Sequence, residues 1–168
     1  VTLGSGIDLA RKVANKINPG VKVTVFKNFG TAMLQYKKMD IEFVGARKES
    51  YHRHSRKPVV ENGTLEDDQN RRDFTINALF YNIADFSIID HVGGLDDLER
   101  RRLRVIGDPK TRFAEDPVRM LRALEFSARL DFSLDDSTLA TITGQAPLIA
   151  EAATARIREE LLELFRHG

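Results

Sequence analysis

Apolar residues recur at helical spacing near the start of the chain, at Ile7, Leu9, Ala10, Val13, Ala14 and Ile17, and Asn18-Pro19-Gly20 ends that run. Three stretches of strand character follow, over residues 21–26, 31–36 and 40–45. A turn at 28–30 joins the first two, and Lys37-Lys38 separates the second from the third. Residues 47–70 are almost wholly polar and without periodicity, which predicts a long mobile loop. Apolar residues then return together at Phe74, Ile76, Ala78, Leu79, Phe80 and Ile83, predicting a helix over 74–83. A short strand is expected at 86–90, before the punctuation of Gly93-Gly94. Beyond Pro117 the pattern is helical throughout: Val118, Leu121, Leu124, Phe126 and Leu130 first, then helices over 136–142 and 153–165. No internal repeat is evident. The fold class is α+β in the first half, passing into an all-helical second half.

Composition narrows the picture only where it excludes. At 168 residues, 42% hydrophobic and 30% charged, the chain is long enough for a core and is not a disordered polymer. It has no cysteine, so disulfides and thiolate metal sites are excluded and a reducing, cytoplasmic setting is expected. No apolar run approaches the ~20 residues of a membrane span, and no membrane partner is expected. The net charge of +1 leaves room for a local basic face. The four histidines do not form a metal site, because His52 and His54 share the polar loop while His91 and His167 are distant in sequence.

Three stretches carry chemistry. In the third strand, alternation places Asp40 and Glu42 on one face, opposite Ile41 and Phe43. Such a face is either the solvated side of a strand or a rigid mount for a carboxylate that ligates Mg²⁺. In Arg71-Arg72-Asp73-Phe74-Thr75-Ile76-Asn77-Ala78, Asp73 is expected to cap the helix over 74–83. Arg71 and Arg72 would then oppose its dipole, which invites an anionic partner such as a phosphate. Asn77 lies four residues on, where it shares a face with Asp73 and is placed to read a ribose hydroxyl. In Glu115-Asp116-Pro117-Val118-Arg119-Met120-Leu121-Arg122, Asp116 is expected to cap the helix that Pro117 begins. Asp116, Arg119 and Arg122 share one face, either as a salt-bridge ladder or as a donor and acceptor template for a base.

In this order, RRDFTINA, GGLDDL and RFAEDPVRMLRAL resemble the class II tRNA nucleotidyltransferase and bacterial poly(A) polymerase family, and the likeness extends over nearly the whole chain. The resemblance implies a partial nucleotidyltransferase palm over 1–92, a mixed or antiparallel sheet with helices whose first strands are missing. A linker and helical neck over 93–168 would select the base and bind RNA. It also implies template-independent addition of CMP or AMP from CTP or ATP to RNA 3′ ends by a two-metal Mg²⁺ mechanism, with tRNA CCA addition or repair foremost. Poly(A) tailing and a catalytically inactive RNA-binding module of the same fold are the alternatives.

Carried over position by position, Glu42 matches the third palm carboxylate, catalytic and metal-ligating. Arg71, Arg72, Asp73 and Asn77 match the triphosphate and ribose block, and Asp116, Arg119 and Arg122 the base-selecting helix. Where the family often has another arginine, this chain has Glu125. Arg47, Lys48, Arg53, Arg56 and Lys57, in a loop that also holds His52 and His54, are expected near RNA or triphosphate, or else form a solvated surface loop. The family's phosphate-cradling loop and Asp-x-Asp pair fall just before Val1. The chain therefore reads as a fragment, inactive alone, whose remaining metal ligands are two upstream aspartates.

Overall fold

The structure is a computed structural model that describes residues 1–167 except 3, 19, 28, 29 and 51–58. The described residues divide into two compact units, one over residues 1–50 with 59–68 and the other over residues 69–167.

The first unit is a helix on a small antiparallel sheet. Helix α1 (Gly6–Ile17) starts at Ser5, whose hydroxyl accepts the Asp8 N–H at 3.2 Å. Strands β1 (Val23–Phe26), β2 (Thr31–Tyr36) and β3 (Met39–Val44) form a meander in which Glu42 lies opposite Met33. The α1 face that meets the sheet is built of small residues. Ala10 and Ala14 are buried, as are Ala32 and Leu34 on β2. At Gly6 the approach is closest, since a Cβ there would sit 2.6 Å from the Phe43 carbonyl oxygen. Thr2 extends the sheet by a parallel bridge to Gly45, with its N–H on Val44 O and its carbonyl on Ala46 N–H, both at 2.8 Å.

The described parts of the polar run, residues 47–50 and 59–70, hold regular structure that their composition does not predict. Strands β4 (Arg47–Ser50) and β5 (Val59–Asn62) pair antiparallel, and helix α2 (Leu65–Asn70) follows. Two signals escaped the periodicity. Thr64 and Asp67 cap α2 reciprocally, at 2.8 and 3.1 Å. Asp68 is fully buried and accepts the Arg47 N–H at 3.2 Å.

In the second unit the predicted helix over 74–83 is replaced by a 3₁₀ turn (Thr75–Ala78) and a short strand β6 (Phe80–Tyr81), paired with β7 (Ile88–Ile89). The physical reason lies in competing backbone bonds. Phe74 forms an antiparallel bridge with Val105, so the Thr75 N–H goes to Arg104 O and the Ile106 N–H to Asp73 O. The Ala78 carbonyl is taken by the buried Gln69 amide, which also donates to Ile89 O at 2.8 Å. Helix α3 (Gly94–Glu99) lies against the 3₁₀ turn so closely that a Cβ on Gly94 would clash with the Thr75 carbonyl. Strand β8 (Arg102–Leu103) and helix α4 (Pro109–Glu115) lead into helix α5 (Val118–Leu130). Strand β9 (Ser133–Leu134) runs parallel to β8, then come helix α6 (Asp136–Gln145), a 3₁₀ segment (Ala146–Glu151) and helix α7 (Thr154–His167). The core joins Phe74, Leu103, Val105, Phe113, Met120 and Ala123. Phe74 meets Phe126 edge to face, with ring centroids 5.7 Å apart.

Candidate active site

The RRDFTINA block is anchored by Phe74, which is wholly buried and so fixes its neighbour Asp73 at the edge of the core. One carboxylate oxygen of Asp73 accepts the Phe74 N–H at 2.9 Å and the Asn77 side-chain amide at 3.3 Å. The other accepts Arg122 Nε at 2.7 Å across 49 residues of sequence. Asp73 and Asn77 are therefore adjacent, as their spacing predicted, but on a 3₁₀ turn in place of an α-helix. The expected clash of Arg71 and Arg72 with a helix N-terminus does not arise. Both follow the C-terminus of α2, where cations agree with the dipole. Arg112 holds them by their backbone, donating from Nη2 to the carbonyls of Arg71 and Arg72 at 2.7 and 2.8 Å. The Arg72 guanidinium donates to Asn77 O at 2.9 Å and lies over the Phe80 ring.

The three expected template residues, Asp116 at the end of α4 and Arg119 and Arg122 on α5, take three different surroundings. Asp116 does not cap α5, because Pro117 occupies the cap position and no side-chain cap bond is made. Its two oxygens instead take a two-pronged bond from Arg156 of α7, each at 2.9 Å. Arg119 is buried and donates to Arg112 O at 3.2 Å, with Glu115 at 3.4 Å. Arg122 is shared between Asp73 and Glu160 of α7, the latter at 3.2 Å. Burial opposes charge on Arg122, yet the Asp73 and Glu160 carboxylates prevail and raise its pKa. Glu125 is buried on the same helix and pairs with Arg129 at 3.1 Å. The sequence reading missed Arg112, Arg156 and Glu160. The only signal for the last two was their i,i+4 spacing on α7.

A buried carboxylate supports the block from beneath. Asp97 of α3 is inaccessible to solvent and accepts Thr75 Oγ1 at 2.7 Å, Arg102 Nε at 2.6 Å and Arg104 Nε at 2.8 Å. Asp90 receives the N–H groups of Val92, Gly93, Gly94 and Leu95 at the start of α3. Burial pushes its pKa up, but those four donors outweigh it and hold the carboxyl below its ordinary value.

In the first unit, Glu42 stands on the exposed face of β3, as the alternation predicted. With Phe26, Thr31 and Arg47 it lines a cavity of about 320 Å³. A larger cleft of about 640 Å³ is bounded by Gly4, Gly6, Gly45, Arg47, Glu61 and Asn62. Lys48 is exposed, opposite Glu61 in the β4–β5 pair. Arg53, Arg56 and Lys57, with His52 and His54, lie outside the described residues. Among the described residues no cluster of three or more His, Cys, Asp or Glu is placed to hold a metal, and no helix is long and apolar enough to cross a membrane.

The chain is similar to known proteins. Residues 2–104 match the poly(A) polymerase head domain, and residues 131–168 match a family described as the probable RNA and SrmB-binding site of polymerase A. Poly(A) polymerase I of Salmonella typhi is 47% identical over 106 residues, which is 63% of this chain and 23% of that protein. The A-adding tRNA nucleotidyltransferase of Aquifex aeolicus is 42% identical over 183 residues, 99% of this chain and 22% of that protein. The chain thus spans less than a quarter of the length of either relative. The crystal structure of a tRNA nucleotidyltransferase with a primer tRNA and an incoming ATP analog superposes with a TM-score of 0.80 at 37% identity, covering 97% of this chain and 48% of that one. With the head-domain match spanning residues 2–104 and the nucleotidyltransferase fold reproduced, the chain belongs to the poly(A) polymerase head-domain family.

Proposed function

We propose that this chain supplies palm and neck, over residues 1–92 and 93–168, to a cytoplasmic, template-independent RNA nucleotidyltransferase. It adds CMP and AMP from CTP and ATP to RNA 3′ ends, with tRNA CCA addition or repair as its task. The single observation that carries this reading is the 2.7 Å bond between Arg122 and Asp73, which joins the RRDFTINA and EDPVRMLR blocks into one site.

The division of labour follows from the chemistry of each group. Arg71 and Arg72 present planar guanidinium donors that suit triphosphate oxygens, and Arg112 sets their backbone. Asp73 and Asn77 offer an acceptor and an amide to the ribose. Asp116 at the end of α4, with Arg119 and Arg122 of α5, is assigned to the base edge. Glu42 is a hard oxygen donor and fits Mg²⁺ as one ligand among several. When bound, Mg²⁺ supplies charge neutralisation to the triphosphate and the attacking 3′-oxygen. Arg47 and Lys48 lie along the RNA path.

The test is incorporation of labelled CTP or ATP by the full-length protein into a tRNA lacking its terminal CCA, beside an unrelated RNA with a free 3′-hydroxyl. Addition confined to the tRNA and dependent on Mg²⁺ is the expected result, with Glu42→Gln inactive but folded. The identity to Salmonella poly(A) polymerase I favours a second reading, tailing of RNA 3′ ends, which predicts long AMP tracts on both RNAs. Absence of transfer to either RNA would refute both.

A further inference from the structure

Helix α7 lies in the segment matched to an RNA-binding family, yet its two most engaged charges face Asp116 at the end of α4 and Arg122 on α5. Arg156 spends both terminal nitrogens on Asp116, and Glu160 accepts from Arg122 while Arg122 bonds Asp73. As a stability device the Arg156–Asp116 pair is weak, because the Arg156 side chain is 51% exposed and exposed pairs contribute little. As an orienting device it is strong. A two-pronged guanidinium fixes the plane of a carboxylate, whereas α5 engages Asp116 through its backbone, the Arg119 N–H donating to the Asp116 carbonyl at 3.1 Å. A carboxylate has about four lone-pair sites, so two remain to accept from a ligand. Arg122 is held in the same way through Nε and Nη1, leaving Nη2 donors to spare.

We propose that Arg156 and Glu160 are positioning residues for nucleotide selection: Arg156 aims the Asp116 acceptor and Glu160 the Arg122 donors. This rests on the nucleotidyltransferase reading above. The competing role for α7 is direct contact with RNA phosphates.

The experiment measures kcat and KM for CTP, ATP and the RNA primer in the full-length protein, for wild type, Arg156→Ala, Arg156→Lys, Glu160→Gln, Asp116→Ala and the Asp116→Ala/Arg156→Ala double variant. Melting midpoints are taken alongside. Arg156→Ala is expected to change the CTP:ATP ratio of kcat/KM by about tenfold, the loss typical of one charge-assisted hydrogen bond. The primer KM should stay within about twofold and the double variant should match Asp116→Ala, as coupled residues do. Arg156→Lys should restore part of the ratio, and Glu160→Gln should shift it with a small change in melting. A raised primer KM with an unchanged nucleotide ratio would overturn the proposal in favour of RNA contact, and so would additive effects of the two mutations. If Arg156→Ala fails to fold, the Lys and Gln variants decide, and an unchanged ratio in both overturns it. Wild-type protein that transfers no nucleotide would sink the functional reading itself, an outcome distinct from active wild type with indifferent variants.

Discussion

Asp97 offers the sharpest test of what holds the RRDFTINA block in place. Its carboxylate is fully buried beneath Thr75 and accepts from Thr75, Arg102 and Arg104 at 2.6–2.8 Å. Asp97→Ala removes the charge and leaves its donors behind. Breaking a wholly buried ion pair costs about 3–5 kcal/mol. Here the two arginines retain 31% and 36% side-chain exposure and rehydrate on release, so the ionic part falls well below that range. The Thr75 hydroxyl is buried and loses this acceptor, adding about 1–3 kcal/mol. A total near 3 kcal/mol is expected, read by urea unfolding as a midpoint lower by about 1–2 M at unchanged slope. Thr75→Val should cost about 1 kcal/mol and should be non-additive with Asp97→Ala, because the two share one bond. A loss below about 0.5 kcal/mol would refute the reasoning, since it would mean that desolvation of Asp97 already cancels its bonds.

Two further outcomes follow from the same region. Gly94→Ala should cost about 1–3 kcal/mol despite alanine's better helix propensity, because the added methyl meets the Thr75 carbonyl and comes within 3.0 Å of Leu79 Cδ2. A thermal melt that rises would contradict the packing described. Asp90 has a lowered folded pKa, so its contribution is present above the unfolded value of about 3.9 and is lost as pH falls through the folded one. The stability gap between wild type and Asp90→Asn, from denaturant unfolding, should be flat above about pH 5 and shrink toward pH 3. A gap that widens on acidification would reverse the assignment.

What the sequence made legible depended on whether local pattern and tertiary bonds agreed. Helix α1, the β1–β3 meander and helices α5 and α7 emerged from apolar spacing, because their partners cover an apolar stripe. Residues 74–83 misled for the opposite reason. Phe74, Ile76, Ala78 and Leu79 fit a helical stripe, but the Val105 bridge and the Gln69 amide claim their backbone groups from distant sequence. The site residues showed the same limit. Asp73 and Asn77 were paired correctly because four residues separate them. The α7 partners, Glu160 for Arg122 and Arg156 for Asp116, lie about 40 residues away, and no spacing around Arg122 or Asp116 encodes them. The β4–β5 pair was hidden by polar composition, though Thr64-Leu65-Glu66-Asp67 carried a capping signature that could have placed α2.

The bridge between Phe74 and Val105 also sets the dynamic character of the site. Asp73 lends its carbonyl to Ile106 and its neighbour's ring to the core, so its carboxylate cannot swing away by a local loop motion. Opening at Asp73 requires lifting Phe74 from between Phe113, Met120 and Phe126. The amide hydrogens of Thr75 and Ile106 should accordingly exchange with solvent only as fast as the unit unfolds, and not at the rate of an active-site loop. Under the proposed function, nucleotide binding and core integrity become one inherited trait: a substitution at Met120, buried beside Phe74, is expected to surface as a binding defect.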